Sequence, residues 1–231
     1  VSNDISKASG AEKTLTLDGN RNIVLNANIS GASGSPLNVI ISTGSGALTG
    51  ASNLVLEGGD LSIEAGGDGT YSGVFSGAGN LTKTGDGTQT LSGTNTYTGT
   101  TSVDNGVLAI SNAAGLGATD GATTVANAAA LNISGGINVA EAITISGSGV
   151  SNNGVIRSTS GNNTLSGQIT ISAHAQIQSD ANTLTLNVAS SSSITASNKN
   201  ITFDGAGNIT VSDPIATGSG TLTKTGSGTL T

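Results

Sequence analysis

Apolar residues in this chain come in short alternating pairs: Leu15 and Leu17, Ile23 and Leu25, Val39 and Ile41, Leu54 and Leu56, Leu61 and Ile63. The pattern returns as Leu131 and Ile133, Ile137 and Val139, Ile143 and Ile145, Ile169 and Ile171, Leu184 and Leu186, Ile201 and Phe203, and Ile209 and Val211. Alternation with period two places both members of a pair on one side of an extended strand, and the β-branched enrichment favours the same state. Clusters of Gly, Asn, Ser or Asp separate the pairs and supply turn chemistry. No stretch has the helical period.

Strands with two or three inward residues are too short for a β-sandwich core, but they suit a solenoid in which each strand stacks on its equivalent in the next coil. From Ile143 to Ile209 the pairs recur about every eight residues, which predicts a three-sided coil of roughly 24 residues and about nine or ten coils in all. Gly and Asn serve such a coil twice, by tolerating positive φ at tight corners and by leaving room where the coil is narrow. Pro36 and Pro214 fall beside Ser, Gly or Asp, in expected turns.

The chain also repeats itself. Residues 77–90 read GAGNLTKTGDGTQT and residues 218–231 read GSGTLTKTGSGTLT, identical at ten of fourteen positions. A repeat of this kind points to a stacked array rather than a closed domain. Because Thr231 falls inside the second copy, the expectation is one continuous solenoid segment over residues 1–231 of a longer chain. Within it, one repeat occupies 77–108 and a truncated second copy occupies 218–231.

The stretch from Gly77 to Leu108 resembles the passenger-associated repeat of bacterial autotransporters, with the pattern G-x-G-x-L-x-K-x-G-x-G-x-x-x-L-x-G-x-N-x-Y-x-G-x-T-x-V-x-x-G-x-L. The residues carrying the resemblance are Gly77, Gly79, Leu81, Lys83, Gly85, Gly87, Leu91, Gly93, Asn95, Tyr97, Gly99, Thr101, Val103, Gly106 and Leu108. Gly218, Gly220, Leu222, Lys224, Gly226 and Gly228 repeat its first part. Residues 154–186 resemble the β-helical spacers between such repeats, and residues 14–64 more loosely resemble coils of haemagglutinin-like exoproteins. The resemblance implies a right-handed parallel β-helix, roughly three short strands per coil, in a surface-exposed or secreted protein of the bacterial type V pathway. The C-terminal translocating barrel of that family has no counterpart here, since no run of ten-residue, aromatic-girdled alternating strands occurs.

Composition then narrows the partners. A net charge of −7 with only seven scattered Lys and Arg argues against nucleic acid. Absence of Cys excludes a disulfide framework and thiolate zinc sites, and no apolar run is long enough for a transmembrane helix.

The candidate chemistry is sparse. His174, the only His, lies in ISAHAQIQSD, where alternation places Ile171, Ala173, Ala175 and Ile177 inward and Ser172, His174, Gln176 and Gln178 outward. With no G-x-S-x-G elbow in the chain, a solvated surface His is expected rather than a triad with Asp180. The densest acidic stretch holds Glu57, Asp60, Glu64 and Asp68. Its two GGD elements make Asp60 and Asp68 the candidate calcium ligands, although their spacing of eight and the presence of only two copies favour plain turn chemistry. Lys83 and Lys224 are expected to cover an apolar corner with their aliphatic stems, and Tyr97 to pack a coil edge. The expected function is a non-enzymatic structural stalk or adhesive fibre segment at the bacterial surface, without a cofactor. Its expected partners are copies of itself or neighbouring coils, or surface glycans or host receptors. The alternatives are a β-helical polysaccharide-degrading enzyme, which needs facing carboxylates with a basic residue between them, and a host-ligand-binding passenger.

Overall fold

The computed structural model describes residues 3–189 and 191–231. They fall into two compact units, Val1–Gly121 and Ala122–Thr231. Each is a stack of parallel strands wound into three-sided coils, giving an all-β solenoid of about ten turns. Among the described residues the only helical element is a short 3-10 turn, Val150–Asn152.

In the first unit one side stacks Ile5–Lys7, Ile29–Gly31, Leu54–Val55 and Phe75–Ser76. The second stacks Lys13–Asp18, Leu37–Ser42, Leu61–Glu64, Leu81–Thr84 and Thr101–Val103. The third stacks Ile23–Leu25, Leu48–Gly50, Gly69–Tyr71, Thr88–Leu91 and Gly106–Ile110. Parallel pairing in register turns the alternating pairs into columns. Leu15, Val39, Leu61, Leu81 and Thr101 form one, and Leu17, Ile41, Ile63, Lys83 and Val103 the next. From the second coil onward these side chains are buried, so each coil hides its apolar pair against the pairs above and below it.

The second unit repeats the plan. Thr123, Ile143, Ile169, Ile194 and Ile215 form one inward column. Leu131, Ile156, Ile177, Phe203 and Lys224 form another, and Val139, Leu165, Leu186 and Val211 a third. Coil length varies around the expected value: Leu81 pairs with Thr101, twenty residues on, whereas Ile143 pairs with Ile169, twenty-six on. The extra residues are absorbed at corners, where they do not disturb the columns.

One inward assignment fails. Ile169–Ser179 is an eleven-residue strand that serves two sides, pairing on one through Ile171 and on the next from Ala175. At the bend the register slips from Ile145 opposite Ile171 to Gly147 opposite Ala175. Strict alternation assumes a straight strand. Around this corner Ser172, Ala173 and His174 all face solvent, so Ala173 is exposed rather than inward.

Corners also need partners for backbone N–H groups that leave the strand ladder. Asn and Asp side chains supply them from the coil below. Asn28 N–H donates to Asp4 Oδ1 (2.7 Å), Asn53 N–H to Asn28 Oδ1 (2.8 Å) and Val74 N–H to Asn53 Oδ1 (3.1 Å). A second series runs from Asp60 N–H to Asn38 Oδ1, from Asn80 N–H to Asp60 Oδ1 and from Thr100 N–H to Asn80 Oδ1, each 2.8 Å. Where two coils approach too closely for any side chain, the residue is Gly. A Cβ on Gly79 would lie 1.8 Å from the carbonyl oxygen of Gly59, and one on Gly99 would lie 2.3 Å from that of Gly79.

This close approach gives a first test. Gly79→Ala is expected to lower the free energy of unfolding by about 1–3 kcal/mol or more through overpacking against backbone. Gly19→Ala, where a Cβ meets nothing within 4 Å, should change it by less than about 0.5 kcal/mol. Urea unfolding of the two variants measures the contrast.

Candidate functional site

The repeat stacks on itself. Its first part, Leu81–Thr84 and Thr88–Leu91, forms one coil, and its second part, Thr101–Val103 and Gly106–Ile110, lies directly above. Leu81 therefore meets Thr101, Lys83 meets Val103, Gln89 meets Leu108 and Leu91 meets Ile110. A motif longer than one coil is thus a self-complementary pair of layers, and its internal spacing is the coil length.

Lys83 occupies an inward position in a column of Ile and Val, and it is fully buried. Its stem fills the place of an aliphatic side chain, and its Nζ donates to the carbonyls of Thr84 (2.7 Å), Gly85 (2.8 Å) and Asn105 (3.4 Å). Two of these belong to the turn of its own coil and the third to the coil above. Desolvation pulls its pKa down to about 8, against the opposing pull of the Asp86 and Asp68 carboxylates. At neutral pH the group is therefore the ammonium, held by turn carbonyls. The expected corner-covering role understated this, because alternation alone does not show that a strand-end lysine can turn its head back into the following turn.

Asn95 and Tyr97 tie the same layers on another side. Asn95 is buried, accepts the Phe75 N–H from the coil below (2.9 Å) and donates to the Gly115 carbonyl above (2.8 Å). Tyr97 is fully buried, with its ring stacked on Phe75 at 4.5 Å between centroids and its hydroxyl 2.5 Å from Thr101 Oγ1. The tyrosine ring packs between its own coil and the one below. Gly85 and Gly106 adopt positive φ (79° and 65°), whereas Gly79, Gly87 and Gly99 are required by coil-to-coil proximity.

The second copy keeps the lysine arrangement within its own coil. Lys224 Nζ reaches the carbonyls of Thr225 and Gly226, the counterparts of Thr84 and Gly85. Leu222 stacks on Ile201 but is 47% exposed, in contrast to the fully buried Leu81.

The remaining sequence candidates do not converge on one site. Asp60 Oδ1 accepts the N–H and the amide of Asn80, and Asp68 Oδ1 accepts the Thr88 N–H, so both carboxylates cap the coil above. Among the described residues no group of three or more His, Asp or Glu is placed to hold a metal. His174 is exposed, and its Nδ1 accepts the Asn200 N–H (2.9 Å), which puts the ring proton on Nε2 and the imidazole in a position that Asn or Asp fills elsewhere. Asp180 bonds instead to Arg157 Nε (2.7 Å) and Gln178 Nε2 (2.7 Å), so it does not orient His174.

Several buried polar groups gave no signal in the sequence. Asn163 accepts the N–H groups of Gly136 and Ile137 and donates to Ser158 Oγ and the Ser160 carbonyl. Gln89 Nε2 reaches the carbonyls of Leu48, Gly69 and Thr90. Glu141 is 3% exposed; its Oε1 accepts the Thr123 hydroxyl (2.7 Å), and its Oε2 is buried without a partner. Burial pushes its pKa up to about 7, despite the Thr123 bond. A glutamate in VAEAITI reads as an ordinary polar residue at a turn, and only the packed coils show it enclosed.

Comparison with known families matches residues 81–110 to the passenger-associated-transport-repeat, and the β-solenoid around that match fits an autotransporter passenger repeat. Neither the curated proteins nor the solved structures give a match. No helix among the described residues is long and apolar enough to cross a membrane.

Two substitutions test this site. Lys83→Ala should lower unfolding free energy by about 2–5 kcal/mol through the void it leaves. Lys83→Met, which keeps the stem but removes the donor from three carbonyls, should cost about 1–3 kcal/mol. Chemical denaturation ranks the pair. For Glu141 the folded pKa lies above the unfolded value, so the folded state holds the extra proton. Its stabilising contribution is complete below the ordinary Glu pKa of 4.5 and is lost as pH rises through about 7. Relative to Glu141→Gln, the wild-type chain should lose on the order of 3 kcal/mol between those limits, read from denaturant midpoints across pH.

Proposed function

We propose that this chain is a non-enzymatic stalk segment of a bacterial surface-exposed or secreted protein, exported by the type V pathway and wound into coils outside the cell. The observation that carries this reading is the self-stacking of the matched repeat. Lys83, Asn95 and Tyr97 each join their own coil to a neighbouring one through buried contacts. A segment of this kind can add coils one upon the next, because each finished layer presents the columns and unpaired strand edge that the following layer needs. Such stepwise growth suits a polypeptide that emerges gradually through a narrow passage. The coil exteriors, largely Thr, Ser, Asn and Gly, suit a projecting element.

Display on cells tests the proposal. The segment is placed ahead of a translocating barrel, and surface material is measured as the fraction cleaved by external protease relative to total protein. Tyr97→Ala, which removes the ring stacked on Phe75, should reduce intact surface material several-fold. Retention of the wild-type segment inside the cell contradicts the reading. Full display of a Tyr97→Ala variant whose purified form is clearly destabilised contradicts it as well.

A further inference from the structure

We propose that a groove on the outer surface of the second unit, beside Lys199, binds an acidic saccharide through its hydroxyl and carboxylate groups. The groove is open to solvent, has a volume of about 390 Å³ and is walled by Thr170, Ser172, Thr195, Ser197 and Lys199. It exists because side chains shrink from one coil to the next. The outward column passes from Thr170 and Thr195 to Ala216. The surface drops where Ala216 stands, beside the hydroxyl-bearing walls.

The walls offer the groups that recognise sugars. Thr170 and Thr195 lie in register with their Oγ1 atoms 3.4 Å apart, which sets two adjustable hydroxyls side by side. Ser172 Oγ donates inward to the Ile145 carbonyl (3.1 Å), so its oxygen lone pairs face outward as acceptors. Ser197 adds a further exposed hydroxyl. Each can donate to or accept from a sugar hydroxyl for a net of about 0.5–1.5 kcal/mol.

Lys199 selects the class of sugar. Of the other two basic residues in this unit, Lys224 directs its ammonium group to turn carbonyls and Arg157 is paired with Asp180. Lys199 stands at the groove wall with no carboxylate within ion-pair distance among the described residues. A neutral saccharide would leave that charge uncompensated, whereas a uronate supplies both the ring hydroxyls and the anion. The charge distribution permits such a ligand. Residues 1–121 hold ten acidic and four basic residues, net −6, while residues 122–231 hold four acidic and three basic, net −1. An acidic oligosaccharide at this groove therefore meets little repulsion from its own unit, and salt screens the remainder beyond about 8 Å at physiological ionic strength. With no aromatic residue in the walls, recognition is by hydrogen bonds and charge rather than by stacking.

Calorimetric titration of the 231-residue chain with trigalacturonate tests the inference, with maltotriose and acetate as comparison ligands. Saturable binding of trigalacturonate, with maltotriose and acetate each much weaker, is expected. Lys199→Gln should weaken it about tenfold and Thr195→Val several-fold, whereas Lys13→Gln, in the other unit, should leave it unchanged. Absence of saturable binding overturns the proposal, as does acetate binding equally well. Equal losses in Lys13→Gln and Lys199→Gln also overturn it, because they would indicate general electrostatic attraction without a site. Thermal unfolding of Lys199→Gln and Thr195→Val confirms that both remain folded, and Thr195→Val tests the groove independently of the charge.

Discussion

The interaction on which the structure depends is the parallel backbone hydrogen bond between successive coils. It holds neighbouring layers about 4.8 Å apart along the stack. At that spacing every residue meets its own counterpart one coil above and below. An inward apolar residue must therefore sit over another inward residue, and a corner must sit over a corner. The columns of Leu, Ile and Val, the Asn and Asp acceptors and the Cβ-free glycines are three answers to this one requirement. A side chain placed wrongly is wrong against two neighbours at once.

The matched repeat shows how such a constraint becomes a motif. Its glycines stand where one backbone passes close to the next, at Gly79 against Gly59 and Gly99 against Gly79. Its lysine fills an apolar column while its ammonium closes a turn and reaches the coil above. Its asparagine bridges the coil below and the coil above, and its tyrosine lies flat on Phe75. These residues look functional in sequence because they are polar or unusual in an otherwise plain chain. In the structure their chemistry is directed at other coils of the first unit, and solvent sees little of them.

Much of this was legible beforehand. The alternating pairs located the strands and the inward residues, and the regular recurrence indicated three-sided coils. Where the reading stopped, the reason is physical. Alternation carries no information about a bend within a strand, so Ala173 was placed inward although Ile169–Ser179 turns a corner there. Sequence places the Lys83 stem over an apolar corner, but period two treats lysine as polar and so does not put it inside the column between Ile63 and Val103. Glu141 sits at a bend and Asn163 at the start of a strand, and the burial of each depends on the coil stacked beside it, which a local pattern does not contain. The reverse holds for Asp60, Asp68 and His174, where local composition suggested chemistry and long-range register gave each one a backbone N–H to accept.

Side-chain acceptors carry the coil-to-coil hydrogen bonding at exposed corners of the first unit. Amide hydrogen exchange tests it most directly. The N–H groups of Asn53, Asn80 and Thr100 lie outside the strands and that of Thr88 at the first residue of one; they donate to the Oδ1 atoms of Asn28, Asp60, Asn80 and Asp68 respectively. The account predicts that these corner amides exchange about as slowly as strand amides such as Leu61 and Leu81 in the same coils. Rapid exchange at the corners beside slow exchange in the strands would contradict it.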